Sequence, residues 1–512
     1  MKSIPHQLAP PRLKALPAAL LGLAIVAPGA WAGEKEPEPP AGGTPLATVL
    51  VSASPFGALG ASDSASVGTV TRAELEARTV YRPAELLETT PGLIVSQHSG
   101  EGKANQFYLR GFNLDHGTDL RTTVDGMLVN QRSHAHGQGW TDLNFLMPEL
   151  SVRMEYKKGP YFASEGDFAS AGAVSVVYAD VLSKGIASGT VGGDGYRRAV
   201  LADSPKLGSG HLLYALELEH NDGPFRYPED FRKINGVLRY SEGGSALGYN
   251  VTAMAYHGSW NSTDQIPRRA IGSTIVRDRF DTIDPTDGGA SHRYSLSGAW
   301  HRAADGGVAK ANAYVIDNRL ELFSNFTYFL DDPLNGDQFA QPDRRITTGA
   351  NASYRWDTKL GAADGQTTVG LQLQNDNIHN GLYHTKAQQR IDSTRSDHIV
   401  ESSLGLYAEN ATSWMPGLRT IAGLRLDRYR FDVQSDLAAN SGSATATRIS
   451  PKLNVVFGPW RDTEYYLNFG RGFHSNDARG TTISVDPKTG DAAERVTPLA
   501  RSQGYEAGVR TL

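Results

Sequence analysis

From about residue 184 onward, apolar and polar side chains alternate in segments of roughly ten residues, separated by turns rich in Gly, Asp, Asn and Ser. In HLLYALELEHNDG (211–223), Leu212, Tyr214, Leu216 and Leu218 share one face, with Glu217 and Glu219 opposite. RISPKLNVVFG (448–458) sets Ile449, Leu453, Val455 and Phe457 against Arg448, Ser450, Lys452 and Asn454. LRTIAGLRLDRY (418–429) places Leu418, Ala422, Leu424 and Leu426 against Arg419, Arg425 and Asp427. TEYYLNFG (463–470) puts Tyr465, Leu467 and Phe469 together. A period of two is that of a strand with two unlike faces. One such strand suits a soluble sandwich. Roughly fourteen in succession, with aromatics near their ends, predict a transmembrane antiparallel β-barrel over 181–512. Short polar turns alternate with longer inserts such as 261–290 and 328–343, the asymmetry expected of periplasmic turns and outward loops.

Residues 66–180 have a different texture and predict a compact α+β unit. Thr71 followed by Glu74 is a capping-box pattern that starts a helix. A second helical piece is expected from Pro83 to Glu88, with proline in its first turn and Pro91-Gly92 beyond its end. Strand-like runs follow in GLIVSQ, NQFYLRGF, LRTTVDGMLVN, SVRMEYKKG and AGAVSVVYA, the makings of a small mixed sheet. A wide barrel leaks unless its lumen is filled, so the expected place of this unit is inside it.

The N-terminus predicts the route of export. Lys2, Arg12 and Lys14 precede the apolar run ALPAALLGLAIVA (15–27), and AWA (30–32) is a small-x-small cleavage site. Residues 1–32 thus read as a secretory signal peptide cleaved after Ala32, the alternative being a buried N-terminal helix. Another apolar stretch long enough to span a bilayer as a helix does not occur, so any membrane insertion must use strands. Residues 33–65 read as a flexible N-terminus, charged and rich in Pro and Gly at first, with a β-branched extended segment near 44–54.

Composition narrows the function classes. The chain has no cysteine, which excludes disulfides and thiolate metal sites. Its 512 residues carry a net charge of −5 with both signs interspersed, so a nucleic-acid partner is not expected. A nucleophile beside an oriented base is nowhere suggested, and GEGKANQ (100–106) lacks the context of a phosphate loop. An enzyme is not expected. The final run, EAGVRTL (506–512), stops in the middle of a strand-like segment, which predicts a barrel lacking its last strands, because open edges cannot face lipid.

Seven segments resemble, in family order, the signatures of TonB-dependent outer-membrane receptors. LATVLVSA (46–53) is similar to the TonB box, and ELLETTPGLIV (85–95), FYLRGF (107–112), TVDGMLVN (123–130) and RMEYKKGPYFASEGDFASAGAVSVV (153–177) to plug signatures. NFGRGFHSNDARG (468–480) and QGYEAGVR (503–510) look like barrel strands of that family. The resemblance implies a barrel of 22 strands, incomplete here, around a plug, in the Gram-negative outer membrane. It implies energised uptake of a scarce ligand, a metal ion or a metal chelate such as a siderophore. A passive porin-like or surface-binding barrel is the alternative. The implied partners are a TonB-type inner-membrane complex, outer-membrane lipid and the small ligand, with no resident cofactor.

Leu46, Ala47, Thr48, Val49, Leu50, Val51, Ser52 and Ala53 would be gripped by strand addition, an ordinary linker being the plain alternative. The short distance between the cleavage site and this segment leaves no room for a signalling domain, so sigma-factor signalling is not expected. Arg110, Gly111, Asp125 and Gly126 are expected to be structural, as turn glycines and plug charges.

The family order also places 96–106 and 131–140 at the plug apex, where ligand first lands. His98, His134 and His136, with Gln106, Gln131 and Trp140 nearby, are therefore the expected ligand site. Three neutral imidazoles are good transition-metal ligands, and Trp140 can stack on a flat organic ligand. Merely hydrated apex histidines remain the third reading. His116 and His474 are left out, since a polar turn explains Asp115, His116 and Asp119 equally well.

Overall fold

The computed structural model describes residues 62–97, 100–304 and 306–511. The expected signal peptide, the TonB-box-like segment 46–53 and His98 lie outside the described residues.

The N-terminal unit opens with β1 (Val67–Thr71), whose last residue caps α1 (Arg72–Glu76). The capping box forms as its pattern predicts: the Glu74 amide donates to Thr71 Oγ1 at 3.4 Å, and the Thr71 amide to Glu74 Oε2 at 2.7 Å. The second helical piece is a 3₁₀ helix, Pro83–Thr89, whose Leu86 and Leu87 are buried. Then come β2 (Leu93–Ser96), β3 (Gln106–Leu109), β4 (Phe112–Asn113), β5 (Leu120–Val124), β6 (Met127–Leu128), β7 (Ser151–Lys158) and β8 (Gly172–Tyr178). They form a five-stranded mixed sheet, β1-β7-β8-β5-β6, in which β5 and β8 run parallel, and a three-stranded sheet β2-β3-β4. Apolar side chains that alternate along these strands, Phe107, Val124, Met127, Met154 and Val176 among them, close one core. That core continues into Val237, Met254 and Ile316 of the surrounding wall, so the unit is packed into the barrel.

The wall is a 16-stranded antiparallel sheet running from Ile186–Val191 to Leu499–Thr511, the two ends of its strand order. Two of its members are two-residue pieces, Lys206–Leu207 and Phe339–Ala340. Period-two patterning sets the faces. Leu216, Leu218, Leu424, Leu426, Ile449, Leu453 and Leu467 are exposed on the outside. Glu217, Arg425, Asp427, Lys452 and Asn454 are buried on the inside. An apolar exterior with a polar lumen is the arrangement of a membrane barrel. Among the described residues, no helix is long and apolar enough to cross a membrane.

One end carries short turns, such as 244–246, 361–362 and 461–462, and the other long loops, 222–230, 262–287, 325–342 and 476–498. The split has an exception. Ala363–Lys386 and Gln389–Met415 meet at the long-loop end in a two-residue turn, Ala387 and Gln388 both at positive φ. These two strands, of 24 and 27 residues, far exceed the roughly 9–11 needed to span a bilayer, so the hairpin projects beyond it.

Candidate functional site

The segment 131–140 is a closed loop. The Gln131 amide donates to the Trp140 carbonyl and the Gly139 amide to that of Gln131, both at 2.9 Å. Ser133 sits at φ 49° with its amide on Gln138 Oε1 at 2.7 Å. Gly139 is at φ 80°, and a Cβ there would stand 3.0 Å from the Thr118 backbone, a place and conformation that disfavour any side chain.

Arg132 ties this loop to the barrel. Its guanidinium is buried beside Asp167 (3.2 Å), Asp376 (3.7 Å) and Glu401 (3.9 Å), and lies over the Tyr429 ring at 4.8 Å. Carboxylates from plug and wall thus share one plug cation, an arrangement whose partners are costly to remove singly.

Trp140 is 2% exposed and packs, with Ala104, against Phe231, Trp260, Leu320 and Leu322 of the wall. Three imidazoles surround its ring: His134 stacked at 4.9 Å, His136 edge-on at 4.8 Å and His116 tilted at 4.8 Å. His116 therefore belongs to the cage, which corrects its exclusion above. The contact is made by folding: the 114–119 turn lies beside 131–140, where the Thr141 amide donates to the His116 carbonyl at 2.8 Å. Spacing along the chain holds no trace of it. His474 is engaged elsewhere, its Nδ1 2.9 Å from Asp119 Oδ1.

The remaining expected residues occupy different places. Gln131 lines a small cavity of about 20 Å³ with Asp142, Arg293, Asn318 and Thr347. Gln106 begins β3 and accepts from the Tyr108 hydroxyl at 2.9 Å. Arg110, Gly111, Asp125 and Gly126 all adopt positive φ. Arg110 Nη2 reaches Glu506 of the wall at 2.7 Å, and Asp125 pairs with Arg239 of the wall.

The cage is roofed. Gln341 Nε2 donates to the Ala135 carbonyl at 3.0 Å, Arg479 Nη2 to the His134 carbonyl at 2.8 Å, and the Ala478 amide to Ser133 Oγ at 2.8 Å. These groups come from the long loops 325–342 and 476–498, so the cage lies at the long-loop end but beneath its surface. His134 is only 1% exposed. Burial drives its pKa well below the ordinary histidine value, against the opposing pull of Asp343. Burial, and then the neighbouring His116, lower His136 to about 4. Both rings are neutral at pH 7, the form in which imidazole accepts a hydrogen bond or binds a metal.

The geometry does not gather His134 with its neighbours into a single set of ligands. Its Nδ1 accepts from the His136 amide at 3.2 Å, and its Nε2, 3.9 Å from Asp343 Oδ2, makes no hydrogen bond. Among the described residues, the trio of possible metal ligands whose atoms all lie within 4.8 Å is His220, Asp222 and Asp230, at the barrel rim.

Two family models match the chain: the TonB-dependent receptor plug domain over residues 61–173, and the TonB-dependent receptor-like β-barrel over residues 219–512. The chain belongs to the TonB-dependent receptors. Members of this family are proteins of the Gram-negative outer membrane. A curated relative, the vitamin B12 transporter BtuB of Vibrio vulnificus (strain YJ016), is 32% identical over 130 residues. That match spans 25% of this chain and 20% of the relative's own length. Solved structures share the fold at low identity. The unliganded ferric citrate transporter FecA superposes with a TM-score of 0.71 at 14% identity, covering 87% of this chain and 67% of that one. The copper transporter OprC gives 0.68 at 17% identity, covering 87% and 69%. The ferric yersiniabactin uptake receptor FyuA of Yersinia pestis gives 0.65 at 15%, covering 87% and 70%.

Proposed function

We propose that this receptor takes up a metal ion or metal chelate across the outer membrane, driven by an inner-membrane TonB-type complex that grips residues 46–53. The observation that carries the reading is the cage of His116, His134, His136 and Trp140 at the plug apex, roofed by outer loops. Neutral imidazoles held against an indole suit a metal-bearing guest better than a sugar or a peptide. Structural neighbours named for ferric citrate, copper and ferric yersiniabactin point the same way. Ligand would land where loops 325–342 and 476–498 meet 131–140, and strand addition at 46–53 would transmit the pull. The chain's chemistry is then binding and displacement, with no bond made or broken.

The test is accumulation of radiolabelled Zn(II), Ni(II) and Cu(II) by cells carrying the receptor, with and without residues 46–53, and with a protonophore. An energised importer loses accumulation of its cargo on deletion of the segment or collapse of the proton gradient. Accumulation that survives both treatments would make the barrel a passive pore.

A further inference from the structure

We propose that the apex binds one transition-metal ion between His116 Nε2 and His136 Nε2, with the Asp115 carboxylate as a third ligand. The argument turns on which ring nitrogens carry protons. His116 Nδ1 faces two backbone carbonyls, those of Ala104 and Asn105, both at 3.1 Å. Carbonyls only accept, so Nδ1 carries a proton and Nε2 is the atom that offers a lone pair to a metal. His136 Nδ1 lies 2.9 Å from Gln341 Oε1. The Gln341 amide orientation follows from its Nε2, which donates to the Ala135 carbonyl at 3.0 Å. His136 Nδ1 is therefore also a donor, and its lone pair too is on Nε2.

The two Nε2 atoms stand 3.3 Å apart. Both Nδ1 positions being donors, the two Nε2 atoms meet at hydrogen-bonding distance, where either a proton or a metal ion can bridge them. Their separation is that of two ligands on one metal ion. Two imidazoles on one tetrahedral ion, at about 2.0–2.1 Å each, place their nitrogens about 3.3–3.4 Å apart. The Nδ1–H groups held by carbonyl oxygens are the outer hydrogen bonds that orient metal-bound histidines. Asp115 Oδ1 is 3.8 Å from His116 Nε2, on a half-exposed side chain that a small torsion swings inward. The Trp140 ring packs against both imidazoles at 4.8 Å and closes one side. The open coordination position is left for water or a donor atom of a chelator. Two nitrogens and one carboxylate select Zn(II), Ni(II) or Cu(II) over Mg(II) or Ca(II).

The rim trio is a poorer cup. His220 presents Nε2 to Asp222 at 3.3 Å and Nδ1 to Asp230 at 3.8 Å, on different edges of its ring, and Asp230 is already paired with Arg232 at 2.9 Å.

This inference deepens the uptake reading but is tested apart from it, by binding. The purified receptor in detergent is stripped with chelator and titrated with Zn(II) calorimetrically, then with Co(II), whose visible absorption reports a four-coordinate site. The expected result is one ion per chain. Binding falls at least about tenfold, with loss of the Co(II) band, in His116→Gln and in His136→Gln separately. Asp115→Asn weakens binding less, and His220→Gln leaves it unchanged. Retention of the folded barrel on unboiled gels shows that each variant is intact. No binding by the unaltered receptor overturns the site, as does binding that survives both glutamine variants or is lost in His220→Gln. Should Zn(II) fail to bind while deletion of 46–53 still abolishes accumulation of a labelled metal, the metal pair falls and energised uptake stands.

Discussion

The plug is held very differently on its two sides. Residues 159–170 are pinned to the strands from Ala363–Lys386 to Leu499–Thr511 by a series of bonds to their backbone. Lys452 Nζ donates to the Pro160 carbonyl at 2.6 Å, Asn454 to that of Tyr161 at 3.2 Å, and Arg425 to that of Ala163 at 3.3 Å. Glu409 accepts the Ala163 amide at 3.0 Å, and Gln372 donates to the Ser164 carbonyl at 3.1 Å. Gly470 lies so close that a Cβ there would stand 2.0 Å from the Pro160 oxygen. The β5–β6 hairpin, by contrast, faces Gly288–Ala304, Gly307–Ser324 and Asp343–Leu360 mainly through apolar packing, Val124 and Met127 sharing a core with Tyr314 and Ile316, and through few polar bonds. Asn351 reaches the Gly126 carbonyl at 3.3 Å, while Asn312 Nδ2 beside it makes no hydrogen bond. Arg293, buried, touches Met127 sulfur at 3.8 Å and the Phe145 ring at 4.0 Å rather than a carboxylate.

Cavities follow the same division. The small cavity under Gln131 and a chamber of about 950 Å³ at the short-turn end both border these three strands. Asn318 lines the first and Asn312 the second, six residues apart on one strand or about 20 Å. Between them lie the hairpin and the inward side chains of Tyr314 and Ile316, buried in one core with it. Toward these three strands the hairpin makes few polar bonds, but its turn is held by the pair of Asp125 with buried Arg239, so a pull that opened this side would have to break that pair.

Variants break this comparison in order of size. Arg425→Ala removes the partner of buried Asp427, bound at 2.7 Å, and leaves a lone charge. The expected loss is about 3–5 kcal/mol, read as a fall in the urea midpoint of the purified receptor. Lys452→Met deprives the Pro160 carbonyl of its donor and costs about 1–3 kcal/mol by the same assay. Asn351→Ala, on the loose side, costs about 0.5–1.5 kcal/mol. Equal losses at Lys452 and Asn351 would erase the distinction between the walls.

A pH scan tests the cage rather than the two walls. His136 has a folded pKa of about 4, below the ordinary 6.5. As pH falls through 6.5 the unfolded chain takes up a proton that the folded plug refuses, so stability declines until about pH 4 and then levels. Buried His134 adds to the same slope. The slope between these values should shrink in His134→Gln, and a slope unchanged there would mean that the ring is not held neutral.

Much of this architecture was legible in the sequence because strand faces have a period of two. Glu217 and Lys452 point inward and Leu216 and Leu453 outward, as their positions predict. The Thr71–Glu74 cap was equally readable, being local. The cage was readable only in part. His134, His136 and Trp140 fall within one short loop, but His116 arrives from a separate turn. Two of the carboxylates around Arg132, Asp376 and Glu401, come from strands more than 240 residues downstream. Such pairs carry no signature in a single chain. Nor does burial: an apex expected to meet ligand openly lies under Gln341 and Arg479.

The direct test of how the plug yields is thiol labelling in a chain that has no cysteine of its own. Asn318→Cys reports the closed cavity on the loose side, and Asn454→Cys the pinned side. Cells supplied with Zn(II), Ni(II) and Cu(II) are exposed to a small charged methanethiosulfonate, with and without a protonophore. Labelling that tracks the open population should be at least about tenfold faster at 318 in energised cells, with 454 unlabelled throughout. Labelling at 454 instead of 318, or at both, would show that the plug leaves by the other wall or as a whole. Labelling at neither would contradict energised displacement itself.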